Sequence, residues 1–307
     1  MPLLAEFSAL TTRAGDSAAA GNRNAEEVIH LALAKLYDLL LKIPPCDRKG
    51  PRGSAAVEFA KASLEREALK VWASFPVPEH PREPVAFVKS LAKLAYSHPV
   101  ASHAFYAVHL AQRGTRADLR NYFIQELSVD GRFDDMIALL QVGASGAMKM
   151  EFARNYWDEM GCGELEDVHT DLFARVIDAL AITPEEIARS TTHESRVCGN
   201  FSVMLASRRD LFYQASGYFG VMEFLVPQRM REVLTCWERN ALDPEAVKYH
   251  RVHMATDDRH AAGWFKHVVE PMMAEDPTVG AEIMAGALLR LNTSQQYLDK
   301  LLSTTEM

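Results

Sequence analysis

The segment His253-Met-Ala-Thr-Asp257-Asp-Arg-His260-Ala-Ala-Gly-Trp-Phe265 decides how the rest of the chain is read. At about 100° per residue, positions i, i+4 and i+7 of a helix fall within roughly 60° of one another. His253, Asp257 and His260 therefore project from one face, and the apolar continuation from Ala261 to Phe265 favours turning that face inward. A solvated polar face would use the same residue types, as the neighbouring Asp258 and Arg259 show. The segment gains its meaning from what stands upstream.

Two upstream stretches carry the same chemistry. In Glu159-x6-Glu166-x2-His169, an unbroken helix would present Glu166 and His169 one turn apart, the ExxH pair of carboxylate-bridged dimetal bundles, with Glu159 nearly in line. The ExxH spacing recurs at Glu27 and His30 without a further carboxylate, and there it reads as a surface pair. Gly161 and Gly163 interrupt the motif, so a break or bulge is expected, one that could swing Glu159 toward a metal. In Gly217-Tyr-Phe-Gly-Val-Met-Glu223-Phe-Leu-Val226 a single carboxylate stands in apolar company. A buried carboxylate must be protonated, paired or metal-bound, because leaving it alone costs several kcal/mol. Gly217 and Gly220 allow that helix to approach a neighbour closely. Glu126, in Tyr122-Phe-Ile-Gln-Glu126-Leu127, makes a weaker case and reads as a supporting or structural carboxylate. Oxygen donors mixed with imidazole and no thiolate favour iron or manganese over structural zinc.

The surrounding chain is helical throughout, with apolar spacings of three and four and no strand alternation. Helices are expected near residues 24–42 (capped by Asn24, with Val28, Leu31, Leu33, Leu36 and Leu39 inward), 55–74, 84–96, 100–113, 117–140, 147–160 and 164–181. Others should follow the Thr183-Pro184-Glu185-Glu186 start signal and cover 201–225, 228–240, 244–269 and 278–302. Residues 46–54 read as a loop. Residues 1–115 lack the clustered ligand types and are expected to form an N-terminal helical extension, leaving 116–307 as the catalytic bundle. A net charge of −8, from 33 basic and 41 acidic residues, argues against nucleic acid as a partner. Cys46, Cys162, Cys198 and Cys236 are too scattered for a disulfide framework or a zinc site and suit a reducing, cytoplasmic setting. No secretory signal is expected in residues 1–17, and no apolar run approaches the roughly 20 residues that cross a bilayer.

Together these residues resemble the haem-oxygenase-like diiron oxidases and oxygenases, an all-α superfamily with the haem oxygenase helical fold and no haem. The family places a glutamate and a histidine on one core helix, a glutamate on the next, and HxxxDxxH on the last. Glu159 and His169, then Glu223, then His253, Asp257 and His260 match that order over roughly residues 118–274. The resemblance implies two ferrous ions held by these residues, dioxygen as co-substrate and electrons from an external donor. It also implies a small amine or amino-acid-derived substrate and, through the N-terminal helices, a homodimer. Glu166, three residues before His169, resembles the additional carboxylate of members that oxygenate amine nitrogens. It implies an N-oxygenase yielding a hydroxylamine, nitroso or nitro product in specialised metabolism, with Glu166 as metal ligand and catalytic carboxylate. The alternative implied by other branches is oxidative C–C cleavage or decarboxylation of an amino acid or aliphatic acid.

Overall fold

Asn22, Thr115, Thr183 and Thr192 each turn a side-chain oxygen onto a backbone amide in the first turn of a helix, and these caps punctuate an all-helical chain. The structure is a computed structural model describing residues 2–43, 55–72 and 75–305, apart from the side chains of Pro2 and of residues 255–258. The expected 46–54 loop lies outside the described residues. No strand occurs among those described.

The chain divides into two compact units, Met1–Pro76 and Val77–Met307. The first holds α1 (Pro2–Ala19), α2 (Arg23–Leu41) and α3 (Ala55–Trp72). Its α2 is capped by Asn22 rather than Asn24, and it buries Ile29, His30, Leu33 and Tyr37. Val28 and Leu31, expected inside, are exposed, and His30, expected at the surface, is buried. The buried stripe repeats every four residues from Ile29, so packing on α3 selected a different face of α2 from the leucine-rich one. There the Tyr37 hydroxyl donates to Glu65 at 2.9 Å.

The second unit contains α4 (Pro84–Ser97), α5 (Arg116–Val129), α6 (Phe133–Leu140), α7 (Gly146–Glu159), α8 (His169–Ala179), α9 (Pro184–Ser190), α10 (His193–Ser207), α11 (Phe212–Arg239), α12 (Lys248–Trp264), α13 (Glu270–Glu275) and α14 (Gly280–Thr305). π-helical turns occupy Phe105–Leu110 and Phe265–Val269. The helices of residues 84–114 pack against α11, α13 and α14 and so belong to this unit.

The long helix α11 is the axis of the second unit, packed on α12 and α14. A methyl group at Gly217 would meet the backbone carbonyl of Ile283, and one at Gly286 would meet that of Gln214. The two backbones thus touch where neither residue has a Cβ. Gly220 lies against the Trp264 indole, whose Nε1 donates to the Ser216 carbonyl at 2.9 Å. One turn further along α14 from Gly286, Arg290 forks onto both oxygens of Asp130 at 2.8 and 2.7 Å.

Element boundaries depart from the sequence reading in instructive places. The expected 117–140 helix breaks at Asp130-Gly131 into α5 and α6. The expected 201–225 helix is divided by Arg208, whose ψ of 114° is extended, and α11 then runs unbroken through Pro227. A proline removes one helical hydrogen bond, and packing on both flanks of α11 outweighs that loss.

Candidate metal centre

The last turn of α7 and the start of α8 build the first half of the site. Helix α7 ends at Glu159, after which Gly161 (φ 60°), Cys162 (φ 54°) and Gly163 (φ 95°) reverse the chain through left-handed backbone. A side chain at Gly161 would collide with the backbone of Asp167. Two single 3₁₀ turns, Gly161–Gly163 and Leu165–Asp167, lead to His169 as the first residue of α8. The break anticipated at the glycines is therefore larger than a bulge. It brings His169 Nδ1 to 2.8 Å from Glu159 Oε2.

His253 on α12 completes the cluster from the opposite side, with its Nε2 at 3.6 Å from Glu159 Oε1. Its Nδ1 lies 3.1 Å from the Tyr249 carbonyl one turn earlier. A carbonyl only accepts, so Nδ1 carries a proton and Nε2 is the ring nitrogen turned toward Glu159. One donor atom each from Glu159, His169 and His253 lies within 4.8 Å of the other two, and all three residues are buried. The imidazole rings are 4.4 Å apart between centroids, with the Tyr249 ring packed on His253 at 4.1 Å. Burial alone would raise the Glu159 pKa, but the two imidazoles outweigh it and bring it down to about 2. This is a carboxylate held as an anion between two nitrogen donors, and it fits a hard or borderline divalent cation such as ferrous iron.

A second nest lies beside it. His260, two turns beyond His253, places Nε2 at 2.7 Å from Asp158 Oδ2 and Nδ1 at 3.8 Å from Glu223 Oε2. Adjacent residues of α7 thus serve both nests, Glu159 facing His253 and Asp158 facing His260. Glu223 is buried on α11, as its apolar neighbours demanded. The side chain of Asp257 lies outside the described residues. Glu166 is exposed on its 3₁₀ turn, in a shallow cleft shared with Arg175 and Lys248, and is not brought to the cluster. Its expected place in line with Glu159 required an unbroken helix, and the positive-φ reversal at residues 161–163 removes that alignment.

A cavity of about 290 Å³ opens onto the Glu159, His169 and His253 cluster and onto Glu223. Its walls include Leu127, Phe173, Ile177, Met222 and Val226, with Tyr106, Tyr122, Glu126 and Arg229 among the polar groups. Burial first, then Asp130, lifts Glu126 to about 7, although the Tyr297 hydroxyl donates to it at 2.7 Å. Burial, reinforced by His253, drops His250 in the same wall to about 3, so this imidazole is neutral. Asp158 and Arg229 were not singled out from sequence. Asp158 stands next to Glu159 with no signal of its own, and Arg229 follows Glu223 by six residues, about 120° around the helix, so spacing does not flag it either.

Fold and site define a helical bundle with a buried carboxylate–imidazole centre in the wall of a largely apolar cavity. The model of a family described as iron-containing redox enzymes matches residues 120–295, and the chain belongs to that family. Among solved structures, a TenA homolog from Pseudomonas syringae pv. tomato str. DC3000 superposes with a TM-score of 0.53 at 15% identity, covering 75% of this chain and 98% of that one. At that identity the likeness shows the haem-oxygenase-like fold alone. A search of curated proteins gives no match. Among the described residues no helix is long and apolar enough to cross a membrane.

Proposed function

We propose that the protein is a dioxygen-dependent diiron N-oxygenase acting on an amine or amino-acid-derived substrate. The observation that carries this reading is Glu159, held ionised between His169 and His253 in the wall of a largely apolar cavity. In this reading Glu159, His169 and His253 hold one ferrous ion, and Glu223, His260 and Asp257 hold the other. Iron so held supplies dioxygen activation, with electrons from an external donor.

The remaining work falls to the chain itself. Asp158 fixes the His260 ring so that Nδ1 faces inward, and the Tyr249 carbonyl does the same for His253 Nε2. Phe173, Ile177, Met222 and Val226 keep bulk water from the reacting nitrogen. Glu126, poised near neutrality, can accept a proton from an ammonium substrate, and oxygenation requires the free amine lone pair. Glu166 joins the site only through movement of the 161–168 turns, so its proposed part is in turnover and not in resting metal affinity.

The apolar walls favour a second reading, oxidative cleavage or decarboxylation of an aliphatic or amino acid. Anaerobic ferrous loading followed by mixing with isotopically labelled dioxygen and an amine panel separates the two. Label on nitrogen supports the first, and an alkene or one-carbon product supports the second. Failure of any compound to stimulate ferrous-dependent dioxygen consumption removes both.

A further inference from the structure

Arg229 is 7% exposed and lies in the wall of the same cavity, six residues after Glu223 on α11, a helical rise of about 9 Å. Its guanidinium stacks toward the Tyr106 ring at 5.5 Å, yet neither Nε nor Nη2 has a hydrogen-bond partner among the described residues. The contrast with Arg290 is direct, since that buried guanidinium is forked onto Asp130. Glu126, the carboxyl whose field Arg229 feels, is engaged by the Tyr297 hydroxyl and forms no ion pair with Arg229. A buried arginine with two donor nitrogens unmatched is costly to the fold, and a planar fork with open donors is shaped for a carboxylate.

We infer that Arg229 is the anchor for a carboxylate carried by the cavity's ligand, whose aliphatic body lies along Phe173, Ile177, Met222 and Val226. The inference deepens the reading of this cavity as the reaction chamber, and it narrows the substrate from amines in general to compounds with an acid group at a fixed distance from the reacting atom. Both proposed reactions use such compounds. The assignment to Arg229 therefore concerns recognition and is independent of which bond is oxidised.

The test uses the full chain freed of metal by chelation, so that binding is read without turnover. Calorimetry would compare hexanoate and 6-aminohexanoate with hexanamide and hexylamine. The two carboxylates are expected to bind at least about tenfold more tightly than the uncharged amide, the value of one charge-assisted fork. Preference of 6-aminohexanoate over hexanoate would identify an amino-acid source for the acid group, and the reverse an aliphatic one. Arg229→Gln should abolish the acid-over-amide preference, and Arg229→Lys should restore part of it, while ferrous affinity stays that of the parent. Equal binding of acid and amide to the parent protein, or no binding of either, overturns the inference without any variant having to fold. An undiminished preference in Arg229→Gln overturns it as well. If carboxylates bind through Arg229 but no ferrous-dependent dioxygen consumption follows on metal loading, the proposed reaction fails and the recognition site stands.

Discussion

Glu126→Gln tests the electrostatics of the cavity most sharply. The parent carboxyl rises from the ordinary 4.5 to about 7, first through burial and then through Asp130. A group whose folded pKa exceeds its unfolded value holds a proton in the folded state that the unfolded chain has already released. Stability from this group is therefore fully present below about 4.5 and is lost as pH rises to about 7. At about 1.4 kcal/mol per pH unit the rise to about 7 corresponds to a loss of about 3 kcal/mol. The Glu126→Gln side chain keeps the shape and an acceptor for the Tyr297 hydroxyl but cannot ionise. The favourable field of Arg229 on the carboxylate is already contained in the net displacement, so it needs no separate correction. The variant should match the parent near pH 4.5 and exceed it by about 2–3 kcal/mol at pH 8, a rise in Tm of roughly 4–12 °C. Thermal unfolding followed by circular dichroism at half-unit steps from about pH 4 to 8.5 reads this directly. Melting temperatures that run parallel across the whole range would refute the reasoning, as would a variant less stable than the parent at pH 8.

Other outcomes follow from single contacts. His169→Ala and His253→Ala should each lower ferrous affinity at least about tenfold in anaerobic titration, since each removes one of three converging donors. Asp158→Asn, which loosens the His260 ring without removing a ligand, should weaken one of two iron equivalents by about 10–100-fold and leave the other intact. Glu166→Gln should leave resting ferrous affinity unchanged while slowing turnover, and a tenfold loss of affinity would show that the turn is already closed in solution. Gly217→Ala should destabilise by about 1–3 kcal/mol in denaturant titration, because its methyl group must push α14 off α11 at the Ile283 carbonyl.

What the sequence made legible was whatever depends on periodicity within one element. His253 and His260 stand two turns apart on one helix and point into the bundle as the 3.6-residue repeat requires, and Glu223 is buried because everything around it is apolar. The Thr183 cap and the close approach at Gly217 follow from local chemistry in the same way. The sequence was least legible where the chain leaves a helix. Glu159 and Glu166 looked aligned only if the chain stayed helical between them, and three consecutive positive φ values at 161–163 send Glu159 to the cluster and Glu166 to the surface.

That reversal also explains why Asp158 and Glu159 can serve two nests at once. Neighbours on a continuous helix point about 100° apart, too far to share one metal but well placed to face two histidines separated by two turns on a crossing helix. Ending α7 at Glu159 frees its carboxylate to turn toward His169 as well, so the helix terminus, and not a motif within the helix, creates the three-donor cluster. An ExxH search finds Glu166 and His169 and assigns the pair to the wrong geometry. The better local signal in this chain is an acidic doublet one residue before a Gly-x-Gly reversal, followed six residues later by a histidine that starts the next helix.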